Sequence, residues 1–240
     1  MNYSEMRAIG MQLMKENYSK FLFVAVMTVL VYGLSSILST LGIQNFAISG
    51  IMFFVALFVG PAITVGGLRM MINAKRGKAQ FSDILYVFKS GNYWNVFVTM
   101  LLMGIKIFLW TLLFIVPGII KSLEYSMVPY LLAEDAGMDG RLVFDTSREM
   151  TDGKKGNMFV LALTFIGWIL LIFLATFVIT LVTLFACRDQ NIGKLIGTIL
   201  GDCLVYVFFV PYVDATFVVV YEFLAEMHAG KTNSLQNHID

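Results

Sequence analysis

Three times in this chain a charged, helix-compatible segment meets a short Gly, Lys or Asn hinge and turns at once into an apolar run. The longest copy, Arg141 to Trp168, reads RLVFDTSREMTDGKKGNMFVLALTFIGW. FSDILYVFKSGNYWNVFVTMLL from Phe81 and MRAIGMQLMKENYSKFLFVAVM from Met6 repeat the join. An apolar run of about 20 residues matches a helix that spans a hydrocarbon core of ~30 Å. A backbone in lipid must satisfy its own hydrogen bonds, so such runs restrict the chain to a bundle of membrane helices. Sliding the second copy by 62 positions onto the longest one aligns Asp83 with Asp145, Gly91 with Gly153 and Asn95 with Asn157.

Each unit reads as an amphipathic surface helix followed by a helical hairpin. The three units cover about residues 4–72, 81–134 and 141–226, as parallel rather than inverted repeats. The expected fold is therefore all-α, a single polytopic domain over 1–230 with six crossings. These start near Phe21, Phe46, Val96, Ile119, Met158 and Leu195, and the polar residues 231–240 read as a disordered tail. The fourth run, Ile119 to Ala133, is short for a crossing and follows the helix breaker Pro117-Gly118. Pro61, Gly60, Gly66 and Gly67 in the second run point to close helix packing. So do Gly193, Gly197 and Gly201 at the start of the sixth, where internal packing is preferred over a homo-oligomer face.

Charge fixes the expected orientation. Residues are 58% hydrophobic and only 14% charged, and the 17 Lys and Arg are strongly segregated. Arg7, Lys15, Lys20, Arg69, Lys75, Arg76, Lys78, Lys89, Arg141, Arg148, Lys154, Lys155 and Lys231 fall on one side of a six-crossing fold. Lys121, Arg188 and Lys194 fall on the other, and Lys106 lies within a crossing. By the positive-inside rule both termini are cytoplasmic. A net charge of +1 argues against a nucleic-acid partner.

Ionisable residues inside a membrane are expensive and carry the functional expectation. Lys106, Glu124, Asp202 and Asp214 form the candidate buried charge network, with Lys106 and Asp214 matched in depth and expected to pair. Arg148, Lys154 and Lys155 are candidate contacts to lipid phosphate, read beside the plainer alternative of a basic loop. His228 and His238 lie in the tail, and Cys187 and Cys203 form no CxxC, so no cofactor or metal ligand set is visible. Both cysteines fall near the outer side, where free thiols are preferred over the alternative of a disulfide between them. Neither an intramembrane Ser/His pair nor HExxH is present, and Asp202 and Asp214 stand too far apart on one helix for an aspartyl dyad.

The runs LWTLLFIVPGIIKSLEYSMVPYLLAED and FDTSREMTDGKKGNMFVLALTFIGWILL, with their PGII, Ser-Arg-x-Met-x-x-Gly-Lys and Phe-Ile-Gly-Trp pieces, carry a resemblance. The chain resembles, over nearly its whole length, the bacterial integral-membrane family known as domain of unknown function 975. A fainter likeness is to the membrane domain of glycerophosphodiester phosphodiesterases. The first resemblance implies a multi-pass protein of the bacterial cytoplasmic membrane and brings no activity or catalytic residue with it. The expected function is a non-enzymatic membrane module that binds lipid, lipid head groups or a partner membrane protein. The alternative is a small ion or solute transporter or channel whose buried charges line a polar path.

Overall fold

The computed structural model describes residues 3–33, 38, 45–186 and 190–236. Eleven helices are described: α1 Tyr3–Glu16, α2 Tyr18–Thr28, α3 Phe46–Lys75, α4 Tyr86–Lys89, α5 Tyr93–Leu113, α6 Ile115–Glu124, α7 Val128–Glu134, α8 Gly140–Thr151, α9 Lys155–Ala186, α10 Gln190–Cys203 and α11 Val210–Gln236. A π turn, Val29–Gly33, extends α2, a second, Leu204–Phe209, joins α10 to α11, and a 3-10 turn, Phe81–Leu85, leads into α4. Four of these stretches are long and apolar enough to cross a membrane: Phe46–Lys75, Tyr93–Leu113, Lys155–Thr183 and Ile192–Lys231. The expected fourth crossing is instead divided between α6 and α7, each too short to cross. The chain beyond Gly230 continues as helix to Gln236, where the sequence predicts a disordered tail.

The bundle has two zones. Around one end, α1, the C-terminal half of α3, α7, α8, the start of α9 and α11 enclose a packed core. Val65, Met70, Met127, Leu132, Val143, Met158 and Val220 are wholly or almost wholly buried there. Toward the other end, the long helices show large apolar side chains outward, among them Phe46 (96% exposed), Phe173 and Phe185. A continuous zone of this kind far exceeds what a surface in water tolerates, and lipid is its natural solvent.

Small residues let the helices meet. Gly66 lies against the carbonyl of Ile84 and Gly67 against Val24, so the glycines of α3 serve packing, as their sequence context suggests. The amphipathic segments after Tyr3, Phe81 and Gly140 are all helical. The apolar stripe of α1 does not face outward, however. Met6, Gly10 and Leu13 dock against α11, while Ile9 is exposed. At Gly10 an added Cβ would stand 2.7–2.9 Å from Thr216, including its backbone. Gly10→Leu should therefore release α1 and destabilise the protein by about 1–3 kcal/mol through overpacking, read as a lower melting temperature in detergent. Gly104→Leu, where the Cβ meets open space, is the control expected to show no such loss.

Candidate functional site

The site is built on the α5–α6 hairpin. Phe114, in extended conformation, ends α5, and α6 begins at once with Pro117 in its first turn, where a missing N–H costs nothing. The chain thus reverses before the Pro-Gly pair that the sequence marks as its turn. Gly118 then packs directly against Thr111 and closes the two legs together. In this register Lys121 lies 5.5 Å from the ring centre of Trp110, and Lys106 lies 5.7 Å from that of Tyr125.

At the end of α6 stands Glu124, its side chain only 8% exposed. Lys121 Nζ donates to Oε2 at 2.6 Å and Lys155 Nζ to Oε1 at 2.5 Å. Arg148 Nε stands 3.9 Å from Oε2, and Ser147 Oγ donates to the Glu124 carbonyl at 2.7 Å. One carboxylate thereby ties α6 to α8 and to the first residue of α9. Burial by itself pushes this carboxyl up, but the hydrogen bonds and charges of Lys121 and Lys155 outweigh it and hold Glu124 below the usual range. Beside it lies an open polar cavity of about 360 Å³, lined by Glu124, Asp145, Arg148, Glu149, Asp152 and Lys155.

A second cluster fastens the same end of the bundle. Arg76 donates to Glu134 Oε1 at 2.5 Å and to Glu222 Oε1 at 3.1 Å, and Lys75 pairs with Glu222. Arg69 donates to the carbonyls of Ala133 (2.7 Å) and Glu134 (3.1 Å), capping α7 where its dipole is negative, and covers the Tyr86 ring at 3.7 Å.

The expected charge network is only partly assembled. Lys106 does not meet Asp214. Its Nζ sits 3.5 Å from the Phe144 ring centre, and the charges acting on it are Asp145 and Arg148 of α8. Asp214 lies within electrostatic range of Tyr130, which stacks on Tyr221 at 5.2 Å. The depth match fails because α5 packs along α6 and touches α3 and α7, whereas α11 packs on α1, α8 and α3. Glu124 is paired with Lys121 and Lys155, not with Lys106, and the side chain of Asp202 lies outside the described residues.

Of the three residues expected to contact lipid phosphate, Lys155 is spent on Glu124. Arg148 is shared between Glu124 and Asp145 (3.8 Å), and Lys154 lines a separate groove with Glu149, Asp152 and His228. Gly193 is buried, and Gly197 and Gly201 lie on the threonines of α9, Thr180 with Thr183 and Thr176, as internal packing requires. Cys203 is exposed on α10, and Cys187 lies outside the described residues. Sequence reasoning missed Ser147, Phe144 and the basic partners of Glu124. Only the i,i+3 spacing of Lys121 and Glu124 was open to it.

Glu124→Gln keeps the shape and removes the charge, leaving two lysines without their counter-ion. It should cost about 1.5–3 kcal/mol at neutral pH. A lowered carboxyl pKa stabilises the fold above the unfolded value and loses that contribution as pH falls through the folded value. The gap in melting temperature between wild type and Glu124→Gln should therefore narrow below about pH 4. A gap that stays constant with pH would show that the carboxylate's charge is idle.

A family model described as "Protein of unknown function (DUF975)" matches residues 1–122 and 115–228. Neither a curated protein nor a solved structure matches the chain. The fainter likeness to the phosphodiesterase membrane domain gains no support. With a match over most of its length and an all-helical body bearing four membrane-length helices, this chain belongs to the DUF975 family of uncharacterised proteins.

Proposed function

We propose that this protein is a non-enzymatic membrane module that binds lipid. The observation that carries the reading is a pair of open apolar grooves on the helix seams. One, of about 350 Å³, lies between the π turn after α2, α3 and α5, lined by Tyr32, Ala56, Pro61, Met100, Gly104 and Phe108. The other, of about 210 Å³, lies between α2 and the α10–α11 junction, lined by Leu22, Val26, Leu30, Ile199, Tyr206 and Val207. Open apolar grooves on a lipid-exposed zone take acyl chains in preference to polar solutes. The described ion pairs, by contrast, gather at one end of the bundle.

The proposed setting is the bacterial cytoplasmic membrane, with an even number of crossings and both termini cytoplasmic, on the segregation of Lys and Arg. The parallel repeat is supported by Gly91 and Gly153, which both take positive φ (74° and 66°) just before a long apolar helix, at the offset of 62 read from the sequence. One observation favours a second reading, ion or solute transport: Asp214, within a membrane-length apolar stretch, makes no ion pair among the described residues.

The two readings separate experimentally. Native mass spectrometry of the purified protein should find bound phospholipid. Gly104→Trp, which fills the larger groove from a position with free space, should retain less of it while unfolding at the wild-type temperature. Equal retention by wild type and variant would overturn the groove reading. An ion flux in proteoliposomes that Asp214→Asn abolishes would favour transport.

A further inference from the structure

The first leg of the α5–α6 hairpin is by itself long enough to cross, yet the contacts of the hairpin place both its legs on one polar level. The chain enters it past Lys106 and leaves it at Lys121 and Glu124. Lys106 stacks on Phe144 of α8, Lys121 pairs with Glu124, and Glu124 holds Lys155, the first residue of α9. Base of hairpin and base of α9 are therefore level. From there α9 runs 32 residues, about 48 Å at 1.5 Å per residue. Between Lys106 and the reversal at Phe114, α5 adds only Ile107 to Leu113, about 10 Å by the same rise. A hydrocarbon core is ~30 Å thick, so the hairpin is far too short to reach its other side from this level.

The first turns of α5 also keep polar company. Asn95 Nδ2 donates to the carbonyls of Ala136 and Met138 (2.8 and 2.9 Å), and Gly140 at the start of α8 lies against Thr99. The opposite face of α8 exposes Arg141, Asp145, Arg148 and Glu149. Residues 107–120 carry no charge, and the hydroxyl of Thr111 donates to the Ile107 carbonyl at 2.8 Å. Leu112 (72%), Phe114 (67%) and Val116 (66%) stand exposed at the tip.

From this geometry we propose that the α5–α6 hairpin enters the bilayer from the charged end and turns back within the near leaflet, its tip packed among acyl chains, without crossing. A full crossing by α5 would carry Lys106 and the charges of α8 and α9 beside it into the hydrocarbon, where an unpaired charge is strongly disfavoured. The hairpin then adds no crossing, and the ends of α3 still lie on opposite faces. This inference does not rest on lipid binding in the grooves.

The test uses the full-length protein with Cys187→Ser and Cys203→Ser and single cysteines at the tip (Val116→Cys, with Phe114→Cys as a second variant). Asn45→Cys and Lys78→Cys, at the two ends of α3, report the two faces. A membrane-impermeant maleimide should label each α3 position from its own side and the tip positions from neither. In the Trp94→Phe, Trp168→Phe variant, Trp110 should be quenched by phospholipids brominated on the acyl chains. Tip labelling from the face that labels Asn45→Cys would mean a crossing and would overturn the proposal. Tip labelling from the Lys78→Cys face, or an unlabelled tip with unquenched Trp110, would overturn it as well, by placing the hairpin in water or under protein.

Discussion

The carboxylate of Glu124 is the interaction on which the arrangement depends. It is nearly buried, and it is held by Lys121 from its own helix, Lys155 from the start of α9 and, at longer range, Arg148 from α8. A carboxylate without these donors would be costly there, and each lysine would lose its counter-ion. The cluster therefore acts as a joint: it sets where the hairpin ends, where α9 begins and how α8 lies between them. Ser147 adds a neutral hydrogen bond to the same turn of α6, so position is fixed by geometry as well as by charge.

The rest of the molecule follows from a division of labour between two solvents. At the charged end the side chains bury one another, with α1 fitted to α11 through Gly10 and the α7 terminus capped by Arg69. Farther along the long helices the outward side chains are large and apolar, and the described contacts between helices rest on small residues such as Gly197 and Gly201. Lipid contributes no hydrophobic drive between helices, so close packing of this kind carries their association. Threonines answer the same demand: Thr176, Thr180 and Thr183 satisfy their hydroxyls on carbonyls of α9 itself and present small faces to α10.

Much of this was legible in the sequence. Apolar runs gave the helices, hinge glycines gave the starts of α5 and α9, and GxxxG spacing marked the seam between α9 and α10. Other features were not. The Lys106–Asp214 pair came from counting depth along straight helices, which ignores that α5 packs beside α6 and not beside α11. The reversal at Phe114 was hidden because Pro117 fits a first helical turn as well as it breaks a helix. Docking of α1 on α11 depends on Gly10 meeting Thr216, a long-range match with no local signature.

The central claim is that the membrane boundary on the charged side passes through the Glu124 cluster. A density map of the protein in a lipid nanodisc measures this directly, because the bilayer slab is visible beside the helices. The account predicts head-group density level with Glu124 and Lys155, with Phe114 and Val116 ending inside the slab. A slab centred on Glu124, or a hairpin tip emerging from the far surface, would contradict it.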